Sequence, residues 1–255
     1  MKISNKIDNL IDSIKRNPLN HNLRLELIQY YCMDARWDSA LKSIQQYIKL
    51  NPKDSQSKEL FQGNIHCEIQ RQQVILGQKK AEVYPGLSVE LIDLQNQILS
   101  TYHLTDFNLL KTQFLDALSK VNNTFECIAD EQIYTGNFID TDCRLAFVLE
   151  IFTQDKYYWI SINDIEKIVF KETELLTDIM WRRGEVFTKD NKHIPCFFPV
   201  RYPLFDEIES ADSFKYSTAT EWFNVGELST AIGQKVLSNG DVDLALLDIS
   251  KLTSI

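Results

Sequence analysis

Few residues in this sequence have the types and spacing that catalysis requires. Two pairs of acidic residues stand two positions apart, Glu207 with Glu209 and Asp241 with Asp243. Paired carboxylates serve glycoside hydrolases as acid and base. The chain has 36 acidic residues, however, and such pairs then arise by chance. We therefore interpret both pairs as parts of solvated loops.

The histidines and cysteines give no catalytic or metal-binding pattern either. The four histidines are scattered over predicted helices and one strand, which leaves no metal-ligand spacing. His66 and Cys67 are adjacent in a predicted helix, where neighbouring side chains point about 100° apart and cannot form a nucleophile–base pair. The five cysteines include no C-x-x-C pair, so each is predicted to be a small buried hydrophobe.

Glycine-rich phosphate loops, nucleophile elbows and zinc-protease motifs are also missing from the sequence. We therefore expect no enzymatic activity, no cofactor and no metal. One alternative stays open: a hydrolase or small-ligand-binding protein with its site in the second half of the chain, where Arg201 and carboxylates would do the chemistry.

Aromatic residues and arginines are the more informative group in that second half. Such residues make good interface anchors, because they bring a large contact area and directed hydrogen bonds at low entropy cost. The alternative is that the tryptophans form the core of the domain. The candidates are Trp159, Trp181, Arg201, Tyr202 and Trp222.

The charge distribution indicates a protein partner. Residues 1–120 have 15 basic and 13 acidic residues, whereas residues 121–255 have 12 and 23, a net charge of −11. An acidic surface of this kind disfavours nucleic acid and anionic membranes, and a basic or amphipathic protein partner fits it better. Because the sequence has neither a signal-peptide core nor a membrane-length apolar run, we expect a cytoplasmic protein.

The first 120 residues are predicted to form a helical domain that resembles tetratricopeptide repeats. Two Asn-Pro pairs, Asn17-Pro18 and Asn51-Pro52, stand 34 residues apart, which is the length of that repeat. Asp54 or Ser55 is predicted to start a long helix that ends at Gly77, and Ser88 and Thr105 or Asp106 are predicted to start two more. The expected core positions of the repeat are Leu27, Ile28, Tyr31, Ala40 and Ile44.

Residues 121–255 are predicted to form a mainly antiparallel, barrel-like β domain. Short runs rich in β-branched and aromatic residues alternate here with the hairpin connections "QDK" and "KDNK". The segment "LSTAIGQKVLSNG", residues 228–240, is predicted to supply one short helix before the last strand. The fold class is therefore α+β.

The order of several short motifs in the β domain carries a family resemblance. "FECIAD", "GNFID", "YYWI", "DIMW", "VRYP", "TEW", "GQK" and "LLDI" follow one another. In this order they resemble the ImpE family, also called TagJ or SciE type, which comprises accessory proteins of bacterial type VI secretion systems. The segment "MWRRGEVF" is more basic than the family pattern, so the resemblance assigns no role to Arg182 and Arg183.

The resemblance implies a non-enzymatic adaptor. Proteins of this family bind the N-terminal helix of the small sheath subunit TssB and are connected to sheath handling with the ATPase ClpV. A helical hairpin can hold such a helix through spaced apolar anchors. On the first helix of the repeat hairpin, the positions expected to face a bound helix are Asn22, Leu25, Gln29, Cys32 and Met33.

Overall fold

Six helices lie before residue 120, in the region that the sequence predicts to be helical. The computed structural model describes residues 2–204 and 211–255, so Glu207 and Glu209 lie outside the described part of the chain. Within it, no helix is both long and apolar enough to cross a bilayer. The helices are α1 Ile3–Arg16, α2 His21–Met33, α3 Trp37–Leu50, α4 Ser55–Ile75, α5 Glu90–Leu104 and α6 Phe107–Ser119.

Local sequence signals set most of the helix ends. The side chains of Asp54 and Asp106 cap α4 and α6 by accepting backbone N–H bonds of 3.0 and 3.1 Å. Gly77 follows α4 with φ +70°, the left-handed conformation that ends many helices. The predicted Ser88 cap is wrong, because the Ser88 hydroxyl binds Asp164 at 2.8 Å and α5 begins at Glu90.

The second half is mainly antiparallel β structure, which confirms the predicted fold class. The short helix α7 spans Asp212–Lys215. The strands are β1 Glu82–Val83, β2 Phe125–Ala129, β3 Gln132–Gly136, β4 Ile139–Asp140, β5 Val148–Thr153, β6 Lys156–Ser161, β7 Ile165–Phe170, β8 Trp181–Thr188, β9 His193–Pro199, β10 Thr220–Val225, β11 Leu228–Gly233, β12 Val236–Ser238, β13 Asp243–Ala245 and β14 Ile249–Ser254.

Nine of these strands form one sheet in the order β1-β6-β5-β9-β8-β7-β14-β2-β3, and among the described residues only its β1–β6 pairing is parallel. This sheet has two edges, β1 and β3, and no closed barrel is found among the described residues.

The helix predicted over residues 228–240 is wrong, because this segment forms β11 and β12. Gly226, at φ +63°, closes a tight turn that pairs β11 with β10. Gly233 then adopts φ +91°, which an α-helix cannot contain. β12 pairs with β13 and β4 in a second small sheet.

One apolar core joins the helices to the large sheet. Trp181 of β8 stacks on Trp37 of α3 with ring centroids 6.5 Å apart, and it meets the edge of Phe61 of α4 at 6.3 Å. The sheet therefore covers the face of the helices that a further repeat would cover. Four of the predicted repeat core residues are buried and Tyr31 is half-buried; the buried ones are Leu27, Ile28, Ala40 and Ile44.

Candidate functional site

The candidate partner-binding residues divide into a buried and an accessible group. The buried residues are each at most 3% exposed and cannot contact a partner in this conformation. They are Met33, Trp159, Trp181, Arg201 and Tyr202. Trp222 is 43% exposed, Asn22 is exposed, and Leu25 and Gln29 are half-buried. Since Leu25 packs against the helical core, Asn22, Gln29 and Trp222 remain as surface candidates.

Arg201 joins the C-terminal end of α2 to the β region. Its guanidinium donates hydrogen bonds to the carbonyl oxygens of Cys32 at 2.7 Å, Met33 at 2.8 Å and Lys215 at 2.7 Å. Burial lowers the pKa of Arg201 to about 10. The hydrolase alternative needs Arg201 beside two carboxylates. In the described part of the chain, however, the Arg201 guanidinium donates its hydrogen bonds to main-chain carbonyls.

The neighbouring arginines of β8 also have structural partners. Arg182 donates to the carbonyl oxygens of Leu246 and Ile249, both at 2.7 Å. Arg183 lies closer to the surface and pairs with Asp178 at 3.0 Å and with Glu174 at 3.2 Å. The basic pair therefore fixes the segments before β14 and β8.

A buried network of charged side chains surrounds Glu150 of β5. Arg71 of α4 binds this carboxylate through two parallel hydrogen bonds of 2.7 Å. Lys235 approaches the same carboxylate at 2.7 Å, and the Tyr157 hydroxyl donates to it at 2.5 Å. Four side chains from four segments thus meet at one buried point.

The buried charge network extends in both directions from Glu150. On one side Glu68 pairs with Arg71 at 3.4 Å and accepts the Trp181 indole N–H at 3.0 Å. On the other side Lys235 binds Asp140 at 2.8 Å, and Asp140 accepts the Tyr202 hydroxyl at 2.6 Å. The network therefore supplies hydrogen-bond partners for the buried polar atoms of Trp181 and Tyr202.

The network has the residue types of an active site but not the accessibility. Burial acts to lower the pKa of Lys235, but Asp140 and Glu150 outweigh it and raise that pKa, so the amine is protonated and not nucleophilic. The cavity beside the network has a volume of about 30 Å³. Ligand sites usually measure about 300–1,000 Å³. We conclude that the network holds together α4, the sheet and the segment that precedes β12.

Glu150 is expected to make stability depend on pH in acid. Burial alone would raise its pKa, but Arg71 and Lys235 lower it to about 2 from 4.5. The unfolded chain then takes up the proton first, so the stabilisation is complete above about pH 4.5 and is lost as the pH falls toward 2. We expect the stability difference between wild type and Glu150→Gln to shrink across this window, as measured by urea unfolding. A constant difference would contradict this expectation.

A groove of about 840 Å³ lies between α4 and one face of the sheet. Its apolar floor includes Leu60 of α4, Phe152 of β5 and Phe197 of β9. Cys67 and Cys196 also line it, and burial raises the pKa of both thiols, so they behave as apolar surface. All five cysteines are buried and free, which confirms their prediction as small hydrophobes.

The groove is acidic at its rim. Five carboxylates and two cations line it. Lys171 pairs with Glu185 at 3.1 Å, and Arg183 pairs with Glu174 and Asp178. The remaining three carboxylates are exposed and have no cation within 4 Å among the described residues; they are Glu59, Asp155 and Glu172.

The groove could not be located from the sequence, although one signal was present. Gly63 lies within α4, and a Cβ at this position would lie 2.1 Å from Oδ1 of Asp155 in the β5–β6 turn. A glycine inside a helix often marks such a close approach. It does not say which segment approaches, so the groove could not be located from it.

Comparisons with known proteins agree with the resemblance read from the motifs. Residues 134–253 match the family model described as ImpE protein. The chain is 22% identical to the "Type VI secretion system accessory component TagJ" of Pseudomonas aeruginosa over 259 aligned residues, covering 98% of this chain and 87% of that protein. The crystal structure of protein VPA1032 from Vibrio parahaemolyticus is similar with a TM-score of 0.84 at 21% identity, covering 99% of this chain and 94% of that one. This structural likeness establishes the fold alone.

Proposed function

We propose that this chain, whose residues 134–253 match the ImpE family model, is an accessory protein of a bacterial type VI secretion system. On this proposal it acts as a cytoplasmic adaptor without an enzymatic step. Its partner is the N-terminal helix of the small sheath subunit, TssB, and through it the protein takes part in sheath assembly or in recycling by a ClpV-type ATPase.

The groove between α4 and the sheet is the observation that carries this proposal. A helix with its side chains is about 10 Å across, and about two turns of it would fill 840 Å³. The apolar floor suits the i, i+3, i+4 and i+7 anchors of an amphipathic helix. The predicted surface on α2 offers less, because Met33 is buried and Leu25 packs against the helical core.

Titration with a synthetic peptide that covers the TssB N-terminal helix tests the proposal. We expect saturable binding by calorimetry, and a loss of about tenfold or more when Phe197 of the groove floor becomes serine, since anchor truncations often cost 1–2 kcal/mol. Ile133→Ala on β3, at the far edge of the sheet, is the matched control and should bind as wild type does. No binding to the wild-type protein at high micromolar peptide would refute the proposal.

The same titration decides between the groove and the remaining surface candidates. Asn22→Ala, Gln29→Ala and Trp222→Ala change accessible side chains outside the groove. If these variants weaken the peptide and Phe197→Ser does not, the helix docks on the α2 side or on the β10–β11 hairpin, and the groove assignment is wrong.

A further inference from the structure

We propose that the helix held in the groove carries a basic flank, which Glu59, Asp155 and Glu172 recognise at the rim. This inference rests on the proposed function and adds the chemistry of the partner. Glu59 belongs to α4, Asp155 to the β5–β6 turn, and Glu172 follows β7. Three separate segments therefore bring a carboxylate to the same groove.

The other charges of the rim are already compensated within the chain. Lys171 and Arg183 have carboxylate partners at 3.0–3.1 Å, so they leave no free cation to neutralise the three unpaired carboxylates. The groove as a whole carries a net charge of −3 from its five acidic and two basic residues. A partner with lysine or arginine beside its apolar stripe would supply the missing countercharge.

The position of Asp155 is fixed by the backbone. Gln154 and Asp155 both adopt left-handed conformations, with φ +52° and +59°. This two-residue turn matches the twist of the hairpin and sets the direction of its side chains. The carboxylate of Asp155 occupies the space above Gly63 of α4, so it stands at the rim before any partner arrives.

An acidic amphipathic helix would fit the floor equally well but would meet repulsion at the rim, and a neutral one would leave the three carboxylates without a countercharge. Placing like charges opposite one another is a common means of excluding wrong partners. The three carboxylates thus select among helices that the apolar floor cannot distinguish.

The test compares two triple variants of equal net charge. Glu59→Gln/Asp155→Asn/Glu172→Gln removes the rim carboxylates, and Glu131→Gln/Asp241→Asn/Asp243→Asn removes three exposed carboxylates outside the groove. Binding of the TssB helix peptide is measured between about 0.05 and 0.3 M salt, where screening changes strongly. We expect the rim variant to bind about tenfold more weakly at low salt, the scale of three exposed ion pairs, and to lose most of the salt dependence. The control variant should keep both.

A charge exchange gives the complementary result. A peptide whose lysines and arginines are replaced by glutamate should bind Glu59→Lys/Asp155→Lys/Glu172→Lys better than it binds wild type. If the original peptide binds the wild type and the rim variant equally, with the same salt dependence, this inference is wrong and the proposed function stands. If it binds neither, the proposed function itself fails.

Discussion

Replacing Glu150 by glutamine is expected to lower the free energy of unfolding by about 3–5 kcal/mol. The substitution keeps the shape of the side chain but leaves Arg71 and Lys235 buried without their shared carboxylate. Breaking a buried ion pair is costly because the remaining charge keeps its desolvation penalty. Since single domains are stable by only about 5–15 kcal/mol, the variant should be close to its unfolding limit. Urea unfolding followed by tryptophan fluorescence measures the change.

Two companion variants make this expectation specific. Glu172→Gln removes an exposed carboxylate and should change stability by less than about 0.5 kcal/mol. In the double variant Arg71→Met/Glu150→Leu, Lys235 still forms its ion pair with Asp140, and Glu68 still accepts the hydrogen bond from the Trp181 indole. We therefore expect the double variant to lose less stability than the sum of its single variants, by about 0.5–3 kcal/mol. Strict additivity would show that the two side chains do not act as a pair.

Trp181→Ala is expected to cost about 3–5 kcal/mol, the usual range for truncating a buried tryptophan. The indole is 1% exposed and packs between Trp37 and Phe61, so the truncation opens a cavity where the helices meet the sheet. It also removes the donor that satisfies Glu68. Thermal and urea unfolding should both report the loss.

Trp222→Ala is the matched control for Trp181→Ala. Its indole is 43% exposed and donates one hydrogen bond, to Thr141. We expect a cost below about 1 kcal/mol, because exposed contacts contribute little. Equal losses at both positions would contradict the assignment of Trp181 to the core that joins the two halves.

Local signals predicted the helices well because residues close to each helix end determine where the helix begins or stops. The Asn-Pro pair at residues 17–18 follows the end of α1 at Arg16, and Asp54 caps α4. At residues 228–240 the local pattern failed. Leu228, Ala231 and Ile232 have helical spacing, but the turn at Gly226 and the φ of Gly233 place them in a hairpin. Tertiary pairing outweighs propensity in such short segments.

The candidate site could be predicted only in part. The acidic character of the second half was visible as net charge, and it is present at the rim of the groove. The groove itself needs α4 beside strands that lie about 80–140 residues further along the chain, and no spacing encodes that approach. Likewise, Glu68 and Arg71 form a visible i, i+3 pair, but their link to Glu150 spans 79 residues.

The hydrogen bonds from Arg201 to α2 have a consequence for the order of events during synthesis. Residue 201 leaves the ribosome 168 residues after Met33. At roughly 5–20 residues per second, the delay is on the order of 10–30 s. Throughout that time the carbonyl oxygens of Cys32 and Met33 lack the Arg201 guanidinium, and the sheet does not yet cover the apolar face of the first hairpin. The docking of the helices on the sheet can therefore be completed only after residue 201 has emerged.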